Sequence, residues 1–102
     1  MSVQFRGHEG APPDESELRR ALAAEARGVH GWSNGPGDRY GIHDHGYTKV
    51  LYCVRGSIEF RLADGRAFAL RPGDRLVIPP GARHSAVVGP EGCACIEGRG
   101  SP

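Results

Sequence analysis

The chain has 102 residues, with 13 Lys and Arg against 12 Asp and Glu. That length suits one domain with a single core. The near-zero net charge and the lack of a basic run or face argue against nucleic acid or an anionic membrane as partner. No stretch is apolar and long enough to cross a bilayer, and residues 1–10 hold no apolar signal core, so a soluble cytoplasmic protein is expected.

Residues 1–13 are polar and read as a loose arm, or as an edge strand through Val3 and Phe5. Asp14, with Glu17 three residues on, looks like a helix N-cap with its capping-box partner. Leu18, Leu22 and Ala26 recur at helical spacing, and Gly28 is the expected stop, which predicts one amphipathic helix over residues 15–27. Its thin apolar face suits packing on the outside of a sheet.

From residue 29 onward every signal is for strands. Residues 29–32 read as one, 33–37 as a turn, and 38–42 lead into a pair of histidines. Residues 49–54 form a strand, Arg55-Gly56 a tight turn, and 57–62 a strand with Ile58, Phe60 and Leu62 on one face. Asp64-Gly65 marks a hairpin into residues 67–70, and 71–74 are a turn with Pro and Gly at its centre. Segments 75–78, 85–88 and 93–96 complete seven or eight short antiparallel strands. The class is all-β, a small barrel or jelly roll, with the domain over residues 14–98 and a tail at 99–102. The 16 glycines and 8 prolines, spread as punctuation, agree with this.

Cys53, Cys93 and Cys95 are an odd number without a secretory signal, which argues against a disulfide framework. They read as small apolar side chains in strands. The titratable residues that stand out are His43, His45 and His84. Alternation along a strand points His43 and His45 to one face, and a later strand laid alongside would add His84 from another direction. Three neutral imidazoles meeting at one point are a divalent transition-metal site in outline, compatible with zinc, nickel, iron, manganese or copper.

These residues resemble the cupin superfamily. Gly37, His43, His45 and Gly56 fall on the spacing of its first motif, and Gly73, Pro79, Gly81 and His84 on that of its second. The resemblance spans residues 37–84 and implies a double-stranded β-helix, the jelly-roll barrel of that family. Two positions depart from the pattern. Lys49 stands where the family usually carries a metal-binding glutamate, and Val88 where the second motif often ends in asparagine. The resemblance therefore implies a metal held by His43, His45 and His84 without the customary carboxylate.

Lys49 shares a strand face with Leu51 and Cys53. If that face is inward, its ammonium sits beside the metal position, an unfavourable neighbour for a cation. The alternatives are loss of its proton, pairing with a carboxylate such as Asp44, or service to an anionic ligand; it could also reach solvent at the strand start. Tyr40 precedes the histidine pair and is a candidate for the pocket mouth. Two function classes stay open. One is an enzyme, a metal-dependent dioxygenase or isomerase acting on a small carbonyl- or carboxylate-bearing molecule, with Lys49 and Tyr40 in the catalytic set. The other is a non-catalytic small-molecule or metal-binding sensor module, with a degenerate metal-free barrel beyond it. Exposed sheet edges lead us to expect a homodimer.

Overall fold

In the computed structural model, which describes residues 2–101, seven strands and one helix follow in order. They are β1 (Gln4–Arg6), α1 (Glu15–Ala23), β2 (Ala26–Asn34), β3 (Arg39–His43), β4 (Lys49–Leu62), β5 (Ala67–Leu70), β6 (Arg75–Ile78) and β7 (His84–Gly100). Two long strands, β4 and β7, carry the architecture, pairing antiparallel from Lys49↔Arg99 to Leu62↔His84. The free edge of β4 takes β6 in its first half and β5 in its second. The free edge of β7 takes β3 near its start and β2 near its end. β1 extends the sheet beyond β6. A sheet with branches at both ends of two shared strands closes into a jelly-roll barrel.

The long strands bend where their register breaks. Cys53 faces Cys95 while Arg55 faces Ala94, so Val54 is an extra residue in β4, a β-bulge. The bulge changes the parity of the strand. Before it, Leu51 and Cys53 face the barrel interior; after it, Ile58 and Phe60 do. The interior is completed by Leu70, Leu76, Ile78, Ala86, Val88, Cys93 and Cys95. The opposite face of the first half, Val50 and Tyr52 with Val77 and Ile96, is covered by Leu18 and Leu22 of α1. Burying a leucine there stabilises the fold by roughly 1.5–3 kcal/mol.

The helix begins as its sequence suggests. The Asp14 carboxylate accepts from the Glu17 backbone N–H at 2.9 Å and from the Ser16 hydroxyl at 2.8 Å, which satisfies one of the donors a helix start leaves open. It ends at Ala23 rather than at residue 27. Residues 26 and 27 already pair with Gly100 and Arg99, and Gly28, at φ +66°, lies at a break in the β2 ladder instead of capping the helix. Three other expectations are corrected. Arg55-Gly56 is a bend within one continuous strand, not a turn between two. Residues 85–88 and 93–96 belong to one strand. Residues 99 and 100 are strand too, with Gly100 N–H bonded to the Thr48 carbonyl at 2.8 Å, so the tail starts later. Residues 4–6 form an edge strand on β6 rather than a loose arm.

Gly56 holds the bend. Its φ is +69°, and a Cβ there would lie 2.0 Å from the Gly92 carbonyl oxygen of the facing strand. Left-handed backbone costs a non-glycine residue about 1–3 kcal/mol before any clash, and here the obstacle is backbone. Gly56→Ala is therefore expected to lower stability by about 3 kcal/mol or more in urea denaturation. A variant within about 0.5 kcal/mol of the parent chain would contradict this account of the bend.

Candidate metal centre

His84 opens β7 and is flanked on both sides in the sheet: it pairs with His43 of β3 and with Leu62 of β4. His43 thus faces it directly across a ladder. His45 lies beyond β3, in the connection to β4, where its backbone carbonyl accepts from Gly81 N–H at 2.9 Å. That bond ties the segment before His84 to the segment carrying His45, so two stretches distant in sequence share one corner of the barrel. The three rings stand 4.4, 4.9 and 5.4 Å apart between centroids. One nitrogen of each lies within 4.8 Å of the others.

The hydrogen bonds of the rings set their chemistry. Nδ1 of His43 is 2.7 Å from the Gly41 carbonyl oxygen, and Nδ1 of His84 is 2.8 Å from that of Ala82. A carbonyl can only accept, so in each ring Nδ1 carries the proton and Nε2 keeps its lone pair. Nε2 of His45 and of His84 are buried and have no hydrogen-bond partner, an arrangement that costs energy unless something fills the gap between them. Burial, and then the charge of Lys49, hold His45 below the ordinary histidine value; burial does the same for His84. His45 and His84 thus favour the neutral imidazole, the form that coordinates a metal. The donor set fits a divalent transition metal: three imidazole nitrogens, two of them, on His43 and His84, with the ring proton fixed away from the centre by a second bond.

A cavity of about 210 Å³ opens beside the cluster, lined by Trp32, Tyr40, His43, His45, Lys49, Phe60, Ala86 and Glu97. Lys49 is inward, as its parity with Leu51 and Cys53 indicates, and only 8% exposed. Of the alternatives open to it, pairing with a carboxylate is the one observed. The partner is Glu97 at 3.2 Å, not Asp44, because Glu97 lies on the adjacent strand with its side chain on the same interior face. The same Glu97 oxygen accepts from Trp32 Nε1 at 2.6 Å. Tyr40 lines the cavity with its ring, edge-on to Trp32 at 6.0 Å, while its hydroxyl donates to Asn34. Cys53, Cys93 and Cys95 are buried free thiols of the barrel core.

Glu97 and Trp32, which line the cavity, and Tyr47, which packs against His45, are given no role in the site by the chain alone. For Glu97 a signal existed. It continues the alternation of Cys93 and Cys95, and a charged residue in phase with an interior face asks for a partner. Tyr47 packs 5.0 Å from His45, with the Arg99 guanidinium 4.2 Å over its ring, and no sequence spacing announces that contact.

The pattern of the AraC-like ligand-binding domain family matches residues 28–97. Among solved structures, a protein from Neisseria meningitidis is 31% identical over 72% of this chain and 72% of that one, with TM-score 0.63. An RmlC-like cupin from Shewanella frigidimarina is 27% identical over 72% of this chain and 65% of its own, at 0.63. A structure of DMSP lyases is 26% identical over 72% of this chain but 36% of that one, at 0.62. No curated protein matches the sequence.

The buried imidazoles predict a pH dependence. Histidines held below 6.5 when folded bind fewer protons than they do in the unfolded chain, so acid favours unfolding. The stability is intact above 6.5 and is lost progressively as pH falls from there toward the lower folded values. In metal-free protein the urea midpoint should fall between pH 7 and pH 5, and fall less in His84→Gln. Equal pH slopes for the two proteins would contradict the assignment.

Proposed function

The chain is a cupin belonging to the AraC-like ligand-binding domain family, and on that premise we propose that it binds a small molecule bearing carbonyl or carboxylate oxygens at a divalent transition metal held by His43, His45 and His84. The observation that carries this reading is the pair of buried, partnerless Nε2 atoms, on His45 and His84, beside a His43 whose Nδ1, like that of His84, is tied to backbone. Two buried polar atoms without a partner in one cluster are costly unless they share a ligand.

A bound ion would supply Lewis acidity to a ligand oxygen. The chain's own residues do the rest. Trp32, Tyr40 and Phe60 form apolar walls that keep water from the ligand. Lys49 places a cation within the cavity and offsets negative charge on the ligand; its proton, held next to Glu97, is within the cavity for exchange with a ligand oxygen. Tyr40 contributes its ring as a wall, since its hydroxyl is engaged by Asn34. Binding without turnover is the primary reading, in keeping with a family described by its ligand binding. Conversion of the ligand is the second, favoured by the charged pair inside the cavity and by the likeness to DMSP lyases, of whose length this chain spans about a third.

Elemental analysis tests the reading on protein purified without chelator or affinity metal. We expect about one divalent ion per chain. Alanine at any of the three histidines should weaken metal affinity by about 100-fold or more, since loss even of a residue that only orients a ligand costs 10–100-fold. Metal content equal in the parent chain and in the triple alanine variant would sink the proposal.

A further inference from the structure

We propose that Lys49, held by Glu97 and Trp32, is a second anchoring point in the same cavity, one that takes the carboxylate of a small, flat-bodied acid with no help from the histidines. The proposal deepens the reading above, on which it rests for where the ligand lies, by naming the ligand's class.

The argument is an inventory of donors and acceptors. A lysine ammonium has three N–H donors. Among the described residues, Glu97 is the one carboxylate within reach of Lys49 Nζ, at 3.2 Å. The oxygen it uses also accepts from Trp32 Nε1 at 2.6 Å. The ammonium lies 5.9 Å from the centre of the Trp32 ring as well, the position a ligand cation would take. The cation-binding capacity of this wall is thus met from within the chain, whereas Lys49, whose side chain is only 10% exposed, meets no second carboxylate among the described residues and has donors to spare for the cavity. A cationic ligand would meet Lys49 head-on, and a neutral apolar one would leave those donors unmet. A carboxylate meets them with charge-assisted bonds.

Body and size follow from the walls. Trp32, Tyr40 and Phe60 offer aromatic surface to a planar ligand. The cavity of about 210 Å³ equals the share of about seven waters in the liquid, which suits a single-ring acid. Glu97 and Trp32 are positioning residues: the indole bond orients the carboxylate, and the carboxylate keeps the ammonium inside the barrel and away from solvent.

The test uses chelator-treated protein, with benzoate as probe and neutral benzamide as its control. Trp32 is the one tryptophan of the chain, so its fluorescence reports the titration. Benzoate should bind saturably and at least about tenfold more tightly than benzamide, a difference of about 1.4 kcal/mol. Lys49→Met combined with Glu97→Gln removes both charges and leaves neither buried alone; it should abolish the preference for benzoate, whereas Lys49→Arg should keep it. Equal binding of the two probes by the parent chain, or a benzoate preference surviving in the double variant, overturns the proposal. Benzoate binding that appears only after zinc is added also overturns it while supporting the metal-centred reading. A benzoate preference in protein that never holds a metal supports it while sinking that reading.

Discussion

Everything at the centre of this barrel depends on His84 lying between two strands. Its backbone is paired with β3 on one side and β4 on the other, and its ring is tied back to the Ala82 carbonyl. A side chain so constrained cannot turn to solvent, and at 1% exposure it does not. Among the described residues three buried side-chain atoms lack a hydrogen-bond partner, and two of them, Nε2 of His45 and of His84, meet in this cluster. Natural structures keep such defects where something is to be bound.

The second feature is electrostatic. The family pattern would put a carboxylate at position 49; this chain has an ammonium there and a carboxylate on the neighbouring strand, at Glu97. The two charges offset each other inside the barrel, where an isolated one would be expensive. Compared with a cluster of three imidazoles and one glutamate, the three imidazoles here would leave a divalent ion, if one is bound, with one more unit of positive charge to share with a ligand. The Arg75–Glu25 pair and the Arg6–Tyr52 bond, on the helix-covered side of the sheet, are a separate half-buried network that ties the N-terminal strand and the helix end to β4 and β6.

Much of this was legible in the chain itself. The glycine, histidine and proline spacings over residues 37–84 carry both the barrel and its three imidazoles, because turns and ladder positions are local and their residue types are nearly obligatory. The helix start was legible for the same reason, through Asp14. What escaped depends on pairing between distant segments. A glycine with positive φ ends a helix, makes a turn or sits in a bulge with equal ease, so Gly28 and Gly56 did not reveal which they do. The bulge at Val54 shifts which residues of β4 face inward, and only the register against β7 shows it. Glu97 as the partner of Lys49 required the same register: Asp44 is closer in sequence, but it is not on the strand that runs beside Lys49.

The most direct measurement is X-ray absorption at the metal edge of the protein loaded with one equivalent of zinc or cobalt. The account predicts three imidazole nitrogens at about 2.0–2.1 Å, with any remaining ligand a light oxygen atom from solvent. Two or fewer imidazoles, or a sulfur ligand from the cysteines of the core, would contradict it.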